Sequence, residues 1–333
     1  MLARKIPIVS LLPVVLGSSL ITFWLSRNIN QANESSVDHS LIPSCSVDIV
    51  RLKGFEYTKP ILFTERTCES EKFMPLKTDL SSMLDKFRQE GKIINGSVYF
   101  RQMNQAEWFG INADEKYNPG SLMKVPELIA YLKMSEKEPG LLNKRITWDK
   151  VYTVAKKANF TSKSIEFGKS YTIRELLYYM IAYSDNNATI LLNNAMDLDV
   201  FKKVFTDLGL RDIDMSASDY PLSPKEFSLF MRTLYSATYL NMSSSEFCTE
   251  MLSHSDFKMG LLAGLPEGVR VAHKFGEAGG ADGSAHLGES GIVYLNNSPY
   301  LLTVMVKGKS QSQLPGVISE ISKYIFTRVQ GLS

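Results

Sequence analysis

The chain predicts an α+β fold: an antiparallel sheet of about five strands assembled from both ends of the sequence, flanked by helices, with an all-helical subdomain inserted. Three observations carry this. Apolar residues alternate with period two over residues 96–111 and again over 268–306, the pattern of strands with one face on a core. Between Ser121 and about Met259 the apolar period is helical. One amphipathic helix precedes the first strands and another follows the last, which segregates helix from sheet as in α+β domains.

The net charge of +2 gives no electrostatic case for nucleic acid. The four histidines and three cysteines show no metal-ligand spacing, so neither a metal nor a cofactor is expected. Ile6 to Leu25 carries no charge; at ~1.5 Å per residue it spans ~30 Å, one bilayer core. Arg4 and Lys5 precede it and favour a cytoplasmic N-terminus. Residues 1–27 are therefore expected to be an uncleaved signal anchor. The protein would be single-pass in the cell membrane, with the rest of the chain outside the cytoplasm.

Residues 28–75 are expected to be a tether and N-terminal extension. Their first part is polar and aperiodic. Cys45 and Cys68, outside the cytoplasm, are able to pair. Ile49 to Arg66 has strand-like stretches without an evident place in the fold. Leu76 to Gln89 is a helix with Leu80, Met83, Leu84 and Phe87 on one face, stopped at Gly91. Gly96–Met103 and Glu107–Ile111 form a hairpin. In the helical block, Thr172 with Glu175 and Ser223 with Glu226 are capping boxes, and Cys248 is a buried apolar residue. Gly268–Gly276, His286–Leu295 and Tyr300–Val306 are strands. Gly279–Gly283 is a turn, since it lacks the spacing of a phosphate cradle. Gly316–Val329 is the last helix. Residues 76–120 with 260–333 make an α/β subdomain, and 121–259 the helical one.

Three stretches carry candidate chemistry. At Asn118–Pro126 a loop turns into a helix at Ser121, and Lys124 follows one turn later, under the hydroxyl. A desolvated lysine amine can take a serine proton, and the helix N-terminus favours a developing oxyanion. The same spacing recurs at Ser255 and Lys258, so it decides nothing alone. Ser184-Asp185-Asn186 interrupts two helices. Lys274-Phe275-Gly276 lies on a strand before a turn.

In that order and local structure, the three resemble the motif set of penicillin-recognising serine enzymes, above all class A β-lactamases. The resemblance covers about residues 76–331 and implies a β-lactamase/transpeptidase-like fold. It implies Ser121 as acyl-accepting nucleophile and Lys124 as its base. Ser184 would relay a proton to the leaving group, beside Lys274, which keeps the site positive. Asn186 would hold a substrate amide. The backbone N–H groups of Ser121 and Glu277, after Gly276, would form the oxyanion hole. Asp185 would hold the turn.

Two departures bear on substrate. Phe275 stands where the family has a hydroxyl that binds a substrate carboxylate. Glu277 follows, and a like-charge contact at ~4 Å costs about 1–4 kcal/mol. The loop Gly209–Ser223 lacks the family's glutamate for deacylation; its only acids are Asp212, Asp214 and Asp219. Losing a positioned base costs about 100–10,000-fold. The expected function is therefore a membrane-anchored extracytoplasmic serine hydrolase. It would form an acyl-enzyme from an amide or ester, a cell-wall peptide among the candidates. The alternatives are a β-lactamase using a loop aspartate, and a catalytically silent binding module.

Overall fold

A computed structural model describes residues 45–150, 159–160, 162–214, 220–280, 282–295 and 298–331. The expected anchor, and the tether up to residue 44, lie outside them. Among the described residues no helix is long and apolar enough to cross a membrane. Cys45 and Cys68 are each disulfide-bonded, and Cys248 is free and buried.

The extension that sequence alone leaves unplaced is an antiparallel hairpin of β1 (Val47–Arg51) and β2 (Ile61–Arg66). Helix α1 (Met74–Gln89) starts two residues earlier than the apolar pattern suggests, because Pro75 fits a first turn. Its Leu76, Leu80, Leu84 and Phe87 are buried, as the one-face pattern requires. β3 (Asn95–Gln102) and β4 (Trp108–Ile111) follow as a hairpin.

A 3-10 turn at Gly120–Met123 runs into α2 (Lys124–Lys137). Short strands β5 (Arg145–Thr147) and β6 (Ser170–Thr172) pair with each other. Then come α3 (Ile173–Ala182), α4 (Asn186–Ala195), α5 (Leu198–Asp207), α6 (Pro224–Tyr235) and α7 (Met242–Ser253). Both expected capping boxes form: Thr172 and Ser223 each accept from the backbone N–H three residues on, and Glu175 and Glu226 reach back. β7 (Arg270–Gly279), β8 (Ala285–Tyr294) and β9 (Tyr300–Gly308) lead to α8 (Leu314–Gln330).

The five strands run in the order β4-β3-β9-β8-β7, each pair antiparallel. The β3–β9 pairing joins the early hairpin to the late strands, so both ends of the sequence build one sheet. Period-two alternation sorts the strand side chains onto two faces. Val98, Phe100, Val271, Phe275, Val304 and Val306 pack with α1 and α8. Ala272, Ile292, Leu301 and Met305 pack with the helical block. β7 is an edge strand, and its outer edge meets the 3-10 turn that carries Ser121.

The β1–β2 hairpin is held by charge. Arg101 on β3 and Arg232 on α6 are nearly fully buried, and each donates to the Thr64 carbonyl at 2.9 Å. Glu65 meets Arg232 at 2.5 Å and Arg101 at 3.6 Å. Without Glu65 the two guanidiniums would be buried together uncompensated. Glu65→Gln is expected to lower unfolding free energy by about 3 kcal/mol, read by urea denaturation.

Candidate active site

The first and third motifs meet through two glycines that admit no side chain. Gly120 has φ +50°, and a Cβ there would stand 2.2 Å from Glu277 O and 3.2 Å from Glu277 N. A Cβ on Gly276 would stand 2.1 Å from Pro119 O and 2.5 Å from Leu122 N. The backbone on either side of Ser121 is thus pressed against Gly276 and Glu277. The N–H groups proposed for the oxyanion hole belong to these abutting segments.

The second motif enters from the α3–α4 connection. Ser184 has φ +55°, a left-handed conformation that costs a serine energy and is typical of functional turns. Its hydroxyl accepts from Lys274 Nζ at 2.9 Å and from Lys124 Nζ at 3.3 Å. Lys124 Nζ also donates to Ser184 O at 2.7 Å and Asn186 Oδ1 at 2.8 Å. Lys274 Nζ donates to Phe275 O at 2.8 Å and lies 4.0 Å from the Phe275 ring centroid. All three motifs therefore line one site.

The spacing places the Lys124 ammonium under the Ser121 hydroxyl, yet the hydrogen bonds that Lys124 makes go to Ser184 and Asn186. Ser121 sits in the 3-10 turn Gly120–Met123 at the entry to α2. Ser121 is left partly exposed while Lys124 is buried.

Burial sets the electrostatics. It pushes the Lys124 ammonium down to about 8, against the opposing pull of Glu127, Asp185 and Glu277. Lys274, fully buried, is driven well below the usual lysine range by desolvation and then by the charge of Lys124. Asp185 caps α4: it accepts from Asn187 N at 3.0 Å, Ser164 Oγ at 2.8 Å and Ile165 N at 2.9 Å. Glu277 accepts from Asn159 N at 2.5 Å and Asn159 Nδ2 at 3.2 Å. Its carboxylate is held by the loop opposite.

Phe275 turns toward the α1–α8 side of the sheet. Its ring stacks on Phe257 with centroids 4.1 Å apart, and Phe160 packs edge-on to both. Beside this trio lies a cavity of about 270 Å³, also lined by Tyr183 and Met259. Tyr183 and Phe275 adjoin Ser184 and Lys274 in sequence, and the Phe275 ring separates Lys274 Nζ from the cavity. Sequence reasoning missed Phe160, Phe257 and Asn159, which lie far from the motifs in the chain. It also missed Glu127, although a charged residue within the apolar run Val125–Leu132 was a visible signal.

In the loop before α6, Asp212 accepts from the next backbone N–H at 2.8 Å, and Asp219 lies outside the described residues. Among the described residues, no three His, Cys, Asp or Glu side chains gather where they could hold a metal ion.

Residues 75–329 match the Beta-lactamase enzyme family. The chain belongs to that family. No curated protein matches it. Among solved structures, it is similar to a β-lactamase from Chitinophaga pinensis, with 21% identity and TM-score 0.65 over 75% of this chain and 99% of that one. A class A β-lactamase from Mycobacterium abscessus gives 21% identity and TM-score 0.62 over 75% and 98%. A variant of PBP-A, solved as an acyl-enzyme with penicillin G, gives 20% identity and TM-score 0.63 over 76% and 97%. The five-stranded antiparallel sheet with flanking helices is thus the β-lactamase/transpeptidase-like fold.

Gly120→Ala in this family member should force the 3-10 turn off β7. Losing one aligned oxyanion donor costs about 100–1000-fold in rate. A drop of that size in labelling of the serine by an activated ester, in protein that retains its far-ultraviolet circular dichroism, is the expected result.

Proposed function

We propose that the chain is a serine acyl-transfer hydrolase that forms an acyl-enzyme on Ser121 from an amide or ester. The observation that carries this reading is the shared Ser184 hydroxyl, contacted by both Lys124 and Lys274 beside the Gly120–Glu277 junction. Lys124, as amine, accepts the Ser121 proton while Oγ bonds to the acyl carbon. The carbonyl electrons move onto oxygen, facing the N–H groups of Ser121 and Glu277. As the bond to the leaving group breaks, Ser184 passes that group a proton, which Lys124 replaces. Water or an amine then releases the acyl group.

The surroundings favour a donor without a carboxylate at the Phe275 position. No hydroxyl stands there to receive one, and Glu277 adds negative charge nearby. A cell-wall peptide is one such amide, provided its carboxylate lies elsewhere. The reading places the enzyme outside the cytoplasm on a signal anchor at residues 1–27, supported by the uncharged Ile6–Leu25 stretch after Arg4 and Lys5. A β-lactamase is the second reading, favoured by the family and the fold. Against rapid turnover stands the loop Gly209–Ser223, which has no glutamate.

Full-length protein incubated with a fluorescent penicillin or a carboxylate-free activated ester separates these by intact mass. The expected result is an adduct that persists and disappears in Ser121→Ala, with the ester reacting faster than the penicillin. Rapid penicillin turnover without an adduct would select the β-lactamase. Inertness to both probes would favour a silent binding module.

The neutral lysine is the reactive form. Because Lys124 is depressed to about 8, the acylation rate should climb about tenfold per pH unit below that value and level off above it. A rate that is flat from pH 6 to 9 would remove Lys124 as the base.

A further inference from the structure

Two lysines lie buried side by side in this site, and every acceptor bonded to Lys124 Nζ is uncharged. A buried ammonium needs a carboxylate close by. From β7, Glu277 bears on Lys124 but is tied to Asn159 and partly exposed. From the α3–α4 turn, Asp185 already serves Ser164, Ile165 and Asn187. Lys274, also from β7, adds positive charge. Glu289 is fully buried, but it meets His273 at 2.7 Å and accepts from Leu261 N.

The remaining carboxyl is on the lysine's own helix. Glu127 is one turn beyond Lys124, where side chains at i and i+3 are neighbours. It is 7% exposed. Asn193 from α4 acts on its side chain to favour the carboxylate, while its Oε2 is buried with no hydrogen-bond partner. Tyr131, the next residue along this face, spends its hydroxyl on Leu192 O at 2.5 Å.

We propose that Glu127 is the counter-charge of Lys124, a positioning residue that sets whether the lysine meets Ser121 as ammonium or as amine. The role rests on Ser121 and Lys124 being the reacting pair. Its sign is fixed: an ionised Glu127 favours the ammonium and so raises the pH at which the base form appears. Desolvation acts on both groups, lifting Glu127 to about 7 as it lowers Lys124. The two therefore titrate as a coupled pair.

Glu127→Gln keeps the shape and removes the charge. The midpoint of Ser121 acylation against pH should then fall by about one unit or more. Acylation below the wild-type midpoint becomes about tenfold faster, and the high-pH plateau changes by less than about threefold. A second readout needs no reaction: the Lys124 ¹³Cε resonance, assigned by its loss in Lys124→Ala, should titrate with the same downward shift. A midpoint that stays put, with or without a lower plateau, or that rises, overturns the proposal. Should the wild type take no adduct, the acyl-enzyme reading fails while the lysine titration still decides the role of Glu127. If Glu127→Gln does not fold, the exposed Asn193→Ala removes the side-chain amide that favours the carboxylate. It should shift the lysine titration down by a smaller amount, and an unmoved or raised titration overturns the proposal equally.

Discussion

The structure depends on keeping two lysine side chains out of water around one serine hydroxyl. Lys124 and Lys274 are 4% and 0% exposed, and both donate to Ser184 Oγ. An isolated ammonium at such depth would simply lose its proton. The architecture around the pair reads as a response to that constraint. Asn186 and the Ser184 carbonyl supply acceptors, the left-handed backbone at Ser184 aims its hydroxyl inward, and Asp185 is fixed by three donors so that the turn cannot relax. Lys124, the Ser184–Asn186 turn and Lys274 are far apart in chain order. Helix α2, the α3–α4 turn and β7 come from three separate parts of the sequence, and the sheet and helical block exist in a form that lets them converge.

Much of this was legible before any coordinates. The change of period from two to helical and back marked the sheet and the inserted helices, and turn chemistry marked the boundaries: both capping boxes formed where Ser or Thr preceded Glu by three residues. Those signals are local, which is why they survive in a single sequence. What escaped was non-local. The β1–β2 hairpin has exposed Val47 and Ile49, so it shows no one-sided apolar stripe, and it is placed instead by Glu65 meeting arginines from β3 and α6. The partners of the Lys124 side chain escaped for the same reason: Ser184 and Asn186 lie 60 and 62 residues further along the chain.

Phe275 illustrates how a motif can be right in place and altered in chemistry. Lys274 and Gly276 occupy the face of β7 turned toward the helical block and the 3-10 turn, as strand alternation demands. Phe275, between them, points the other way and joins Phe160 and Phe257. Its ring, stacked at 4.1 Å, is committed to its neighbours. The same loop that supplies Phe160 supplies Asn159, which takes both oxygens of Glu277. The two departures from the family pattern are thus joined through one segment: aromatic packing and charge capture sit next to each other in the chain and act on consecutive ends of the third motif.

That coupling bears on how the departures are to be read together. Taken singly, Phe275 removes a carboxylate-binding hydroxyl and Glu277 adds a repulsive charge, and each would merely weaken a site built for carboxylate-bearing ligands. Taken with the lysine pair, they do something more specific. Asn159 hydrogen-bonds to the Glu277 carboxylate, whose charge favours the protonated forms of Lys124 and Lys274. In a site that bound an anionic substrate, part of that stabilisation would come from the ligand. Here carboxylates of the protein itself provide it.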